Sequence, residues 1–138
     1  MKTESVFNVL LILIFVFMIA ACSDSSDPNK TFTLSGTIIK NDVTDGIYAY
    51  MKLVNKGSGV LTSALYSATV EFNSGTAHYS VSGISEGEYT LYAFIDMNSN
   101  ASGGDSVLPD AGDYVSETDV VINGDVVLSP EENDWTIY

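Results

Sequence analysis

The chain has 138 residues, enough for one domain with its own apolar core, and carries 18 acidic against 5 basic side chains, a net charge of −13. It contains no arginine and, from Asp96 onward, no lysine. A surface this acidic repels phosphate backbones and anionic lipid headgroups, which argues against a nucleic-acid partner and leaves a covalent or hydrophobic route to any membrane.

The chain opens on Lys2, the one basic residue before an apolar run from Val6 to Ala21 that only Asn8 interrupts. The run is shorter than the ~20 residues a membrane-spanning helix needs, and small residues close it, the pattern of an export signal. Ile19-Ala20-Ala21-Cys22 resembles the lipobox that ends a bacterial lipoprotein signal peptide. The resemblance implies cleavage after residue 21 and a covalent lipid on Cys22. Two or three acyl chains anchor stably where one does not. Glu4 departs from the usual signal pattern, and Ser23 after the cysteine resembles the outer-membrane sorting signal of Gram-negative bacteria. The expected localisation is the cell envelope, lipid-anchored to a membrane. Cys22 is the single cysteine, so no internal disulfide forms. Residues 22–30 contain no apolar side chain after the cysteine and read as a disordered tether.

From Thr31 the hydrophobic period becomes two. Phe32, Leu34, Gly36 and Ile38 share one face of a first strand. Residues 41–46 are a turn, and Ile47, Ala49, Met51 and Leu53 then alternate with Tyr48, Tyr50 and Lys52. Residues 55–59 break that strand, and Val60 to Tyr66 fits a short strand or a loop. Ala68, Val70 and Phe72 face inward on the next strand; Asn73-Ser74-Gly75 is hairpin chemistry; Ala77, Tyr79 and Val81 follow. Residues 82–87 are expected to turn the chain into its best strand, where Tyr89, Leu91, Ala93 and Ile95 face the core and Thr90 faces solvent. Thr118 to Ile122, an Asn123-Gly124 hairpin turn, Val126 to Leu128 and a last segment from Trp135 complete the series. The pattern predicts an all-β domain over residues 31–138, an antiparallel β-sandwich of about seven strands, after an N-terminal signal helix over residues 1–21.

Ser35-Gly-Thr-Ile-Ile39, Val81-Ser-Gly-Ile-Ser-Glu-Gly-Glu-Tyr-Thr-Leu-Tyr-Ala93 and Phe94-Ile-Asp-Met-Asn-Ser-Asn100 resemble the prealbumin-like sandwich domains typified by the carboxypeptidase regulatory domain. The resemblance spans most of residues 31–129. Its motifs are short, so they imply a prealbumin-like or Ig-like fold and no activity.

Three residue sets are candidates for function. Asp96, Asn98 and Asn100 occupy alternate positions like the first ligands of a Ca²⁺ loop, with Asp105, Asp110 or Asp113 able to add charge. Ala101 and Val107 stand where that template has glycine and a bidentate glutamate. A solvated loop in which Asx side chains bond their own backbone explains the triplet equally well. Tyr48, Tyr50, Tyr92 and Phe94 form an outer-face aromatic set, either a platform for a glycan or envelope protein or a patch covered by a neighbouring loop. His78 is the single histidine and lies on a strand, so neither a His-rich Zn²⁺ site nor a Ser–His–Asp triad assembles from this chain. Glu86/Glu88 and Glu131/Glu132 read as solvated turns. The expected function is a non-catalytic binding or structural module, with an enzyme-accessory or carbohydrate-binding domain as the alternative.

Overall fold

The computed structural model describes residues 27, 29–101 and 107–138. The signal segment 1–21, Cys22, most of the tether and Asp105 lie outside the described residues. Alternating apolar and polar side chains produce eight strands among the described residues: β1 (Thr31–Ile39), β2 (Tyr48–Asn55), β3 (Tyr66–Glu71), β4 (Thr76–Ser85), β5 (Gly87–Asp96), β6 (Tyr114–Ile122), β7 (Val126–Val127) and β8 (Thr136–Ile137). They form two packed sheets, of order β4-β1-β7 and β3-β2-β5-β6-β8. The fold is an all-β sandwich. Every pairing is antiparallel except β1 with β7, which is parallel.

The core lies between the sheets. Leu34 and Ile38 of β1 and Tyr79 of β4 meet Met51, Leu53, Leu91, Ile95 and Ile122 from the larger sheet, all buried. Each such side chain contributes about 1.5–3 kcal/mol by leaving water. Gly36 sits where β1 passes the segment after β7. A Cβ there would fall 1.9 Å from the Leu128 carbonyl oxygen and 2.7 Å from the Tyr79 ring. The same carbonyl accepts the Tyr79 hydroxyl. Burial pushes the Tyr79 phenol up to about 12, so it stays a donor at any physiological pH.

Three expectations are corrected, and one left open is decided. Residues 82–85 are strand, not turn: β4 runs to Ser85, accommodated by a bulge in which Phe32 pairs with Ile84 and Leu34 with Val81, and by Gly83 at φ 78°. Only Glu86 separates β4 from β5, where the chain changes sheets. Asn123-Gly124 does not close a hairpin. It carries the chain from β6 in one sheet to β7 in the other, because β1 has an open edge to fill. That edge is satisfied by Leu128 N–H donating to the Ser35 carbonyl at 2.8 Å, and by Asp125 and Ser129 side chains accepting from Thr33 N–H and Thr37 N–H. Of residues 60–66, left open between strand and loop, 60–65 are loop and Tyr66 begins β3. Thr90 is buried, not exposed, because the outer face of β5 is itself covered.

Candidate functional site

Strand register brings the outer-face side chains of the larger sheet into rows. Tyr50 pairs with Phe94, Phe94 with Val115, and Val115 with Thr136. One step along, Lys52 pairs with Tyr92 and Tyr92 with Glu117; a further step pairs Val54 with Thr90 and Thr90 with Asp119. Tyr50 and Phe94 stack at a centroid distance of 4.8 Å and 17° between planes. Such offset pairs stabilise by about 0.5–1.5 kcal/mol beyond their area. Tyr48 at the strand end is exposed, Tyr50 and Tyr92 are half-buried, and Phe94 is buried. Within the aromatic set Tyr50 and Phe94 face each other, and the Tyr50 and Tyr92 hydroxyls reach the loops above them.

Two loops cover this face. From the β2–β3 loop, the Ser58 carbonyl accepts the Tyr92 hydroxyl at 3.1 Å, and the Val60 carbonyl accepts Lys52 Nζ at 2.6 Å. From the β5–β6 loop, the Ala101 carbonyl accepts the Tyr50 hydroxyl at 3.4 Å. Thr90 donates to Asp119 at 2.8 Å beneath the edge of the first loop. Between the loops remains a groove of about 350 Å³. Tyr92, Phe94 and Val115 floor it, Val60, Val107 and Pro109 wall it, and Thr136 and Tyr138 close the far end. Its size and mostly apolar lining are those of a small-molecule pocket.

Lys52 is the unusual group in it. It is 9% exposed, and among the described residues its ammonium has one hydrogen bond, to the Val60 carbonyl. Among the described residues no ion pair reaches it; the ion pairs formed involve Lys40 and Lys56. Burial lowers its pKa below the ordinary lysine value. Burial likewise raises the Tyr50 and Tyr92 phenols, helped by Asp96 and Glu117 respectively. A second cleft of about 340 Å³ adjoins past Tyr92, lined by Lys56, Thr90, Glu117, Asp119 and the Gly57–Gly59 turn. Lys52 escaped the sequence reading. The signal that could have found it was a lysine at the centre of a strand, flanked by outer-face aromatics.

The Asp96 loop brings Asp96, Asn98, Asn100 and Asp113 together, with Asp110 between them. Asp96 Oδ1 and Oδ2 accept Asn100 N–H at 3.2 Å and Ala101 N–H at 3.0 Å. Asp113 does the same for Met97 N–H at 3.0 Å and Asp110 N–H at 2.9 Å. Asn98 Oδ1 accepts Asn100 N–H, while the Asn98 and Asn100 amides both donate to Asp110. Asp96 and Asp113 are buried, so these bonds hold two carboxylates that would otherwise be costly. The Asp96 and Asp113 oxygens each accept a backbone N–H. Among the described residues no group of three or more His, Cys, Asp or Glu side chains is arranged to hold a metal ion. Asp105, the other proposed member of the Ca²⁺ set, lies outside the described residues, as does Cys22.

A separate lock joins the turn after β1 to the C-terminal segment. The Lys40 ammonium bonds Asp42 at 2.8 Å and Glu132 at 2.6 Å and lies 4.3 Å from the Tyr114 ring centroid, while the Tyr114 hydroxyl donates to Asp42 at 2.6 Å. Asp42, then Glu132, raise the Lys40 pKa, and Lys40, then Tyr114, lower that of Asp42. His78 Nδ1 shares a hydrogen bond with Thr37 Oγ1 across β1 and β4, on the sandwich face opposite the groove. No protein-family model matches the chain, and no curated protein matches it.

Proposed function

We propose that the protein is a lipid-anchored module of the bacterial cell envelope that binds a ligand without transforming it, through the groove over its larger sheet. The observation that carries the reading is the groove itself. A sandwich sheet whose outer face is solvated needs no cover, yet here two loops are bonded over it and leave apolar space between them. The lipobox resemblance at Ile19–Cys22 supports the anchor and the export. The sandwich matches the architecture that the resemblance to carboxypeptidase regulatory domains implies. The Asp96 loop serves as a wall of the site and is held by its own hydrogen bonds. An envelope protein or glycan is the alternative partner. The polar cleft beside Tyr92, with Lys56, Thr90 and Asp119, supports a glycan, since hydroxyl-rich ligands need such groups.

Two experiments test the reading. Metabolic labelling with a fatty-acid analogue should mark the wild-type chain and not Cys22→Ser; an unlabelled wild type removes the anchor. A ¹H–¹⁵N map of residues 27–138, which include the whole core cluster, should show shifts at Tyr92, Phe94, Val115 and Thr136 with apolar fragments. Shifts centred instead on Lys56 and Asp119 with oligosaccharides would favour the glycan, and shifts at neither place would remove the binding role.

A further inference from the structure

The groove combines an apolar lining with one buried cation, and that pairing selects a ligand class. Lys52 Nζ has three hydrogens, and the Val60 carbonyl takes one. The Lys52 side chain lines the groove beside Tyr92 and Phe94. Among the described residues the acids lining the groove, Glu117 and Asp134, are exposed at the rim, where water screens them. Glu117 lies on the far side of Tyr92 from Lys52 and accepts the Tyr92 hydroxyl at 3.3 Å. Asp134 is engaged by Glu131 N–H at 2.7 Å. Neither neutralises the ammonium.

We infer that the groove binds a small amphiphilic carboxylate, its apolar body over Phe94 and Val115 and its carboxylate on Lys52. This rests on the groove being the binding site and names what it takes. A carboxylate would supply the missing counter-charge and accept the free ammonium hydrogens, in surroundings where a charged hydrogen bond is strong. The apolar walls would cover the rest of the ligand. The exposed rim acids work against a second negative charge, so a monocarboxylate is preferred over a dicarboxylate. The lowered pKa of Lys52 agrees with this, because it reflects burial of the ammonium beside an uncharged acceptor, the Val60 carbonyl.

The test uses residues 27–138 with four probes of one chain length: octanoate, octanol, octylamine and the dicarboxylate suberate. Binding is followed by ¹H–¹⁵N shifts, so that site and affinity are read together. Octanoate should bind in the groove about tenfold more tightly than octanol, the step expected for one charged hydrogen bond. Suberate should bind more weakly than octanoate. Lys52→Met, which keeps the side chain's length and removes its charge, should bring octanoate down to octanol without moving the octanol affinity. Equal binding of octanoate and octanol at Phe94 and Val115 in the wild type would overturn the charge inference and leave the groove standing as an apolar site. Octylamine binding more tightly than octanoate would overturn it too, by showing that the rim acids dominate. Shifts at no groove residue with any probe would remove the groove reading as well. The wild-type ratios decide the matter even if Lys52→Met does not fold.

Discussion

Phe94→Ala separates a covered outer face from a solvated one. Phe94 projects from β5 away from the sandwich core, yet it is 7% exposed and stacks on Tyr50. Burying a phenylalanine this fully makes its truncation cost about 3–5 kcal/mol when the surroundings close around it. One side of Phe94 faces the groove, which removes part of that packing, so the lower end, roughly 3 kcal/mol, is expected. Of this, about 0.5–1.5 kcal/mol belongs to the stack and should appear as coupling in a double-mutant cycle with Tyr50→Ala. For a domain of this size the loss corresponds to a fall in melting temperature of roughly 12–24 °C. Urea denaturation of wild type, both single variants and the double variant supplies the four free energies. A loss below about 1 kcal/mol for Phe94→Ala would mean that the loops do not lie on the sheet, and with them the groove would go.

Three further outcomes follow from the same packing. Gly36→Ala should destabilise by about 2–4 kcal/mol in urea, since the new Cβ displaces the Leu128 carbonyl and breaks the Tyr79 hydrogen bond; a loss under about 0.5 kcal/mol would show that β7 does not close on β1 as described. Asp96→Asn should cost about 1–3 kcal/mol with or without Ca²⁺, because an amide cannot accept from both Asn100 and Ala101 N–H, and millimolar Ca²⁺ should raise the wild-type melting temperature no more than Mg²⁺ at equal ionic strength; a Ca²⁺-specific rise that Asp96→Asn abolishes would restore the metal reading. Asp42, whose folded pKa lies below the ordinary 3.8, contributes stability that is complete above that value and is lost as pH falls through the lowered one, so Asp42→Asn should flatten the acid limb of a stability–pH curve; an unchanged limb would show that the Lys40 lock is not formed.

The inward faces were legible because burial on one side imposes a strict period of two. Leu34, Met51, Leu53, Leu91 and Ile95 fall where alternation puts them. The outer face was not legible, since alternation tells which side a residue takes and not what comes to lie over it. Thr90 and Phe94 are buried by loops whose own sequences, Lys56–Leu65 and Met97–Asp113, carry no period. Asn123-Gly124 is good hairpin chemistry, but a turn sequence does not specify which sheet receives the next strand; the open edge of β1 decided it. The Asx spacing in the Asp96 loop was visible, and the geometry shows its oxygens turned to Asn100 and Ala101 N–H. Lys52 went unnoticed because a strand lysine usually reaches solvent. Here the Val60 carbonyl draws it under the β2–β3 loop.

The titration of Lys52 itself tests most directly that a buried, uncompensated cation lies in the groove. Following its ¹³Cε resonance with pH in residues 27–138 should give a midpoint below the ordinary 10.5, because burial is the cause acting on it and no carboxylate among the described residues pairs with it. The native state then sheds this proton before the unfolded chain does, so folding stability should rise with pH between that midpoint and 10.5 in the wild type and lose this rise in Lys52→Met. A midpoint at or above 10.5 would mean that Lys52 is solvated or already paired with an acid, and would contradict both the groove's charge and the ligand assigned to it.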